Sequence, residues 1–287
     1  MGGPNLLNTV KDLDRLRQIV GVCARHGFGE IMARSGLGSL LTRKDSGKDR
    51  GTFATRLRAA LQDLGPSFIK LGQIVSTRPD LVPPDVIAEL KKLQDDVPAE
   101  DLSELRPLIE NELGGPLEEL FERFDEKPLA SASIGQVHRA QLRRDDELLE
   151  VVVKVQRPDV RATMEADVDL LYWLAHAIER SIPESRLYNP VKMVAEFDRA
   201  VRAELDFITE ADNAERFARN FQKKRYVRFP KVYREVSSRR VLTIEFFDGC
   251  KITDAPAKGI SGEAIAKTAV DVMIQQIFED GFFHADP

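Results

Sequence analysis

At 287 residues and 43 % hydrophobic content, the chain is long enough for one large domain or two modest ones around a buried core. Its charged residues, 31 % of the total with a net charge of −5, form no long single-sign block, which argues against nucleic acid as a partner. Two cysteines, Cys23 and Cys250, far apart and without a histidine cluster, exclude a disulfide framework or zinc site and point to a reducing compartment. No apolar run approaches the ~18 residues of a membrane span, and the first residues lack the basic head and apolar core of a secretory signal.

Apolar residues recur at helical spacing over Leu13 to Leu40, Phe53 to Val75, Val86 to Leu93 and Leu102 to Leu113, so residues 1–115 read as a helical extension. Gly65-Pro66 and the prolines at 79, 83 and 84 cut its middle into short helices, and Gly114-Gly115-Pro116 marks a boundary. From Phe121 the pattern changes. FERFDEKPLA, GQVHRAQL and LLEVVVKVQ predict three antiparallel strands, the last two joined by the turn-like RRDDE. Helical stretches over Pro158 to Ile182 and Pro190 to Phe221 follow, each opened by a proline. KVYREV and RRVLTIEFF predict two more strands, and QKKRYVRF before them reads as a helix end with a solvated turn rather than a nucleic-acid patch. Ser261 to Phe278 predicts a last helix capped by Ser261. The expected fold class is α+β: an antiparallel sheet with inserted helices over 116–248, in the outline of a protein-kinase N-lobe, and the start of a helical C-lobe over 249–287.

Strand alternation places Val151, Val153 and Val155 on one face and Lys154 on the other, where a lysine serves either to blunt a sheet edge or to meet a carboxylate or phosphate. The loop KPLASASIGQVHRA offers small residues at Ala130, Ser131, Ala132, Ser133 and Gly135, which allow backbone amides to approach phosphate oxygens; a small-residue turn under a helix has the same composition. In ELDFITEA, read as one continuous helix, Asp206 and Glu210 share a face while Glu204 points roughly 120° away. Glu210 is then free to meet Lys154 and Glu204 to serve another side, although a solvated acidic face also fits. Lys70 and Gln73, three apart in PSFIKLGQ, share a helix face, with Gly72 between them to admit a close neighbour. At the end, GFFHADP delivers His284 and Asp286 to a loop, as at the entry to a kinase catalytic loop. A kinase continues with an asparagine and a second, metal-binding aspartate, so the expectation is that the metal-holding half lies past residue 287 and that this chain does not turn over by itself.

KLGQ, STRPDLVP, ASIGQVH, the VVVK strand, ELDFITEA and HADP, in this order from about Phe53 to Pro287, resemble the UbiB family of atypical kinase-like proteins, also called AarF-domain proteins. RHGFGE near residue 26 is similar to the family's N-terminal segment. The resemblance implies a kinase-like fold whose helical extension lies over the site where a protein kinase receives its peptide. It implies Lys154 as nucleotide lysine and catalytic residue, Glu210 as its helix partner and Asp286 as the catalytic-loop aspartate. Ala130, Ala132, Ser133 and Gly135 belong to an alanine-rich nucleotide loop, with Glu245 of the hinge-like LTIEFFDG beside them. Glu204 and Asp206 form an acidic pair facing Lys70 and Gln73. ATP is the implied cofactor, with Mg2+ held by ligands beyond residue 287 and no metal ligand within the chain. Isoprenoid lipids or their biosynthetic enzymes, at a membrane surface on the cytoplasmic side of the bacterial inner membrane, are the implied partners. The implied role is support of ubiquinone or other isoprenoid-lipid metabolism by ATPase or phosphotransfer activity; a catalytically silent, ATP-responsive scaffold is the alternative.

Overall fold

The computed structural model describes residues 10–29, 51–79, 82–93, 98–181, 185 and 189–284. The extension contains α1 (Val10–Arg25), α2 (Phe53–Leu64), α3 (Pro66–Ser76) and α4 (Pro84–Leu90). Punctuation sets their bounds. Thr52 caps α2 by accepting from Thr55 N, Gly65 ends it at φ +94°, and Pro66 opens α3 where its missing N–H costs nothing. The stretch expected to run to Leu40 leaves α1 at Arg25, turning at Gly27 with φ +83°, and its continuation over 30–50 lies outside the described residues.

The sheet is antiparallel throughout. β3 (Gly135–Arg144) and β4 (Glu147–Gln156) form its central hairpin, flanked by β1 (Arg123–Phe124) and β2 (Ala130–Ser131) on β3 and by β5 (Val241–Glu245) on β4. Asp145 and Asp146 carry φ +48° and +65°, the left-handed pair that a two-residue hairpin needs to match the twist of its strands. Val151, Val153 and Val155 are buried against Leu105 and Ile109 of α5 (Leu102–Leu113). That helix, read from sequence as part of the extension, packs on the sheet. A short α6 (Leu117–Leu120) leads from it into β1.

Between β4 and β5 stand α7 (Val160–Ser181), α8 (Pro190–Glu204) and α9 (Phe207–Asn220). Their apolar faces do not form a core of their own. Met164, Val168 and Leu171 of α7 and Phe197 and Val201 of α8 share one cluster with Leu16 and Val20 of α1, Leu61 of α2, Phe68 of α3 and Leu90 of α4. A buried ion pair reinforces this join: Asp167 on α7, fully buried, receives Arg15 Nε at 2.6 Å and a second guanidinium nitrogen at 2.8 Å.

Three expectations need correction. FERFDEKPLA is two separate two-residue strands, because Pro128 has no amide for the ladder and the chain turns over 125–128. KVYREV is a 3-10 turn over Arg234–Val236 with a single bridge from Val232 to Ile244, since Arg234 is drawn to Glu215 and Asp212 on α9. Pro190 to Phe221 is two helices. The Leu205 carbonyl accepts from Gln156 Nε2 at 2.8 Å and an Arg161 nitrogen at 2.7 Å, and Asp206 caps α9 by accepting from Ile208 N at 3.1 Å. The last helix, α10 (Gly262–Ile274), starts at its Ser261 cap and passes into a π-helical turn over Gln275–Glu279. The basic QKKRYVRF turn docks on α10, with Lys224 Nζ 2.9 Å from Asp271 and the Tyr226 hydroxyl on the same carboxylate. No described helix is long and apolar enough to cross a membrane.

His138, fully buried on β3, sits between the Asp125 carbonyl at Nδ1 and the Gln136 amide nitrogen at Nε2, both at 2.8 Å. Nε2 must accept from that amide, so the neutral Nδ1–H ring is the one that fits. Burial accordingly holds its pKa below the ordinary imidazole value. With the folded value depressed, the unfolded chain binds the proton first, and stability present above about pH 6.5 is lost as pH falls below it. Urea midpoints should therefore drop between pH 7 and pH 5.5, and His138→Gln should flatten that part of the profile.

Candidate nucleotide site

Lys154 lies on an internal strand, paired with Val137 on β3 and Leu242 on β5, so it blunts no sheet edge. Its Nζ is 2.6 Å from Glu210 Oε2 on α9 and 4.6 Å from the centroid of the buried Phe207 ring. The two charged side chains keep 34 % and 46 % of their surface exposed. An open pair of this kind contributes only about 0–1 kcal/mol to folding. Stability does not account for placing it there, whereas an ammonium held in the open by a carboxylate and an aromatic face is ready for a second anion. Phe207 was not singled out from sequence; its mark is its position directly after the Asp206 cap, where its N–H donates to the Arg239 carbonyl at 3.1 Å.

Beside the lysine strand runs the small-residue loop. Ala132 N donates to the Gly135 carbonyl at 2.9 Å, closing a tight turn, and Ser133 is buried within it. Gly135 is required for space: a Cβ there would lie 2.4 Å from the Val155 carbonyl oxygen. Ala130 and Ser131 form β2, so the loop is short and tied at both ends. Glu245 stands further off. It pairs with Val151, three residues along β5 from the partner of Lys154, and its carboxylate accepts from Arg228 at 2.7 Å and from Lys231 N at 3.2 Å.

Of the four residues expected to meet across the extension, two do. Lys70 Nζ lies 2.7 Å from Glu204 Oε1 and 2.6 Å from Oε2. Gln73 reaches the Leu93 carbonyl at 3.5 Å instead, and Asp206 is taken up by its own helix, with Arg239 Nε 3.6 Å away. Glu204 diverges from Glu210 because the helix breaks between them, and not through helical phase. Gly72 does admit close neighbours: a Cβ would meet Leu93 Cδ1 at 2.3 Å and Leu61 Cδ1 at 2.9 Å. A double-mutant cycle between Lys70 and Glu204 should give about 1 kcal/mol of coupling for this partly exposed pair, and coupling near zero contradicts the contact. Asp286 lies outside the described residues. His284 precedes it with its N–H on Gln276 Oε1 at 3.0 Å. Among the described residues no cluster of His, Cys, Asp and Glu is arranged to hold a metal ion.

Residues 92–287 match the ABC1 atypical kinase-like domain. The protein named probable protein kinase UbiB in Aliivibrio fischeri is 40 % identical over 288 residues, covering 97 % of this chain and 53 % of that protein. That of Pseudomonas putida is 42 % identical over 249 residues, 86 % of this chain and 45 % of that one. Rv3197 of Mycobacterium tuberculosis, solved as a complex with erythromycin, superposes with a TM-score of 0.52 at 25 % identity, over 79 % of this chain and 56 % of its own. The chain spans about half the length of the curated relatives it matches. An antiparallel sheet with a lysine and a helix carboxylate in contact, joined to a domain match over residues 92–287, places this chain in the ABC1 atypical kinase-like family, with its α+β fold.

Proposed function

We propose that the chain is the ATP-holding part of a UbiB-type atypical kinase or ATPase that supports ubiquinone or other isoprenoid-lipid metabolism. The observation that carries this reading is Lys154, 2.6 Å from Glu210 on an internal strand beside the 130–135 loop. Lys154 balances phosphate charge, Glu210 and Phe207 fix its ammonium, and the loop supplies close-approaching amides. Phosphoryl transfer makes few covalent demands on the protein, so positioning and charge of this sort are its main requirements. Glu245, at the end of β5, borders the nucleotide-facing edge of the sheet. Mg2+ would neutralise the phosphates further. Asp286 is assigned to the catalytic loop by motif order.

The Lys70–Glu204 contact supports a gating role for the extension. It fastens α3 to the corner from which α9 carries Glu210, so the helices cover a face that a protein substrate would need. A small or lipid acceptor, met at the cytoplasmic side of the inner membrane, fits that arrangement better than a peptide. Titrating this chain with ATP, with and without Mg2+, tests the first half of the reading, and saturable binding is expected. Phosphate release by a full-length UbiB relative, with and without isoprenoid-lipid vesicles, tests the second. Turnover supports an enzyme, and binding without turnover supports an ATP-responsive scaffold.

A further inference from the structure

Directly after β4, Arg157 turns its guanidinium under the small-residue loop, and its side chain is 10 % exposed. Nε donates to the Ala132 carbonyl at 3.0 Å, and NH2 donates to Ser131 Oγ at 2.9 Å and to the Pro98 carbonyl at 2.6 Å. NH1 meets Glu100 Oε1 at 2.5 Å, while the Arg157 amide donates to the Ile134 carbonyl at 2.9 Å. The far side of this clamp is itself fixed. Gln136, buried on β3, accepts from Glu100 N at 2.8 Å and donates to the Glu100 carbonyl at 3.1 Å. Anchorage therefore runs from the sheet through Gln136 and Glu100 to Arg157, and from Arg157 to two consecutive positions of the loop, Ser131 and Ala132, and to Ile134 beyond them.

A planar fork of donors is needed to reach a carboxylate, two carbonyls and a hydroxyl at once, which a lysine ammonium does not reproduce. The direction of the bonds matters as well. In a trans peptide the carbonyl and the following N–H point opposite ways, so holding the Ala132 carbonyl toward the guanidinium turns the Ser133 N–H away from it. Alanine and serine have no intrinsic preference for such an arrangement, and the loop has no glycine between Leu129 and Gly135 to adapt to a ligand.

We infer that Arg157 is a positioning residue of the nucleotide site, fixing the backbone over 131–134 from its anchorage on Pro98 and Glu100 so that the loop amides are aimed before ATP arrives. This rests on the nucleotide reading above. Arg157 touches no phosphate in the scheme; it acts through the loop, and it makes loop geometry depend on the segment that enters α5.

The test titrates the 287-residue chain and its variants with ATP and with adenosine, which has the base and sugar but no phosphates. Arg157→Lys is expected to weaken ATP roughly tenfold or more, as misaimed charge-assisted contacts do, and to leave adenosine within about twofold. Ser131→Ala removes one partner without stranding a charge and should cost ATP affinity about threefold on a fold that melts like the parent. Hydrogen exchange over 129–135 should quicken in both variants. Should Arg157→Lys fail to fold, the Ser131→Ala titration decides. Unchanged ATP affinity in the folded variants, or equal losses for ATP and adenosine, would overturn the inference and leave Arg157 as a staple of the fold. If Lys154→Ala weakens ATP and these variants do not, only this inference falls; if the parent chain binds no ATP, the nucleotide reading falls and this inference with it.

Discussion

Arg15→Ala should lower the free energy of unfolding by about 3–5 kcal/mol, the range for removing one partner of a buried ion pair. Asp167 has no exposed surface, and Arg15 meets both of its carboxylate oxygens while donating to the Leu64 carbonyl at 2.8 Å and lying 5.8 Å from the Phe68 ring centroid. One guanidinium thus joins α1, the end of α2, the face of α3 and α7. Without it the carboxylate is left unpaired among apolar side chains, which is much worse than losing both charges together. Arg15→Met with Asp167→Leu should therefore recover most of the loss. Urea unfolding of the single and double variants measures this directly, and a single-variant loss under about 1 kcal/mol would mean that the pair is solvated. Loosening α1 should also weaken the Lys70–Glu204 coupling, because α3 and α8, which carry the two residues, share one core with α1.

Gly135→Ala is expected to destabilise by about 3 kcal/mol, the upper end for overpacking, because the obstruction is backbone. The added methyl would lie 2.4 Å from the Val155 oxygen, 3.1 Å from its carbonyl carbon and 3.3 Å from Gln156 Cα. No side-chain rotation relieves those contacts. The strands must separate where Gly135 pairs with Gln156, two residues from Lys154, so ATP affinity should fall with stability. A melting temperature equal to the parent's would show that β3 and β4 are not so closely apposed. Gly72→Ala provides the contrast and should cost less, since the atoms its methyl meets are the side-chain ends of Leu93 and Leu61 and not backbone.

Local chemistry was legible in the sequence where it decides structure locally. The hairpin over 135–156 follows from alternation and from the Asp145-Asp146 turn, and the bounds of α2, α3 and α4 follow from Gly65-Pro66 and Pro83-Pro84. Strand phase for Lys154, helical phase for Glu210 and the order of the motifs pair the two residues, and the structure sets them in contact. Glu204 reaches Lys70 as anticipated, but the helical-wheel argument behind it fails. The break at Leu205 is made by Gln156 and Arg161, which lie 49 and 44 residues away in the chain and leave no local signature. Arg234 is a similar case: KVYREV alternates like a strand, and the carboxylates on α9 that pull it into a turn are about 20 residues off. The period of α5 shows that it has an apolar face and not that the sheet covers it. In VQRPD, Arg157 reads as the end of a strand before a proline, and nothing nearby reveals the loop it fastens.

ATP titration of Lys154→Ala beside the parent chain tests the nucleotide reading most directly. The Lys154–Glu210 pair is open to solvent, so its removal should cost the fold no more than about 1 kcal/mol, and the variant should remain intact for the comparison. A charge-assisted contact to phosphate is worth about 1.5–3 kcal/mol, so affinity is predicted to fall roughly tenfold or more, with Glu210→Gln losing part of that through a less well-aimed lysine. Equal ATP affinity in the parent and a correctly folded Lys154→Ala chain would contradict the account and remove Lys154 from the site.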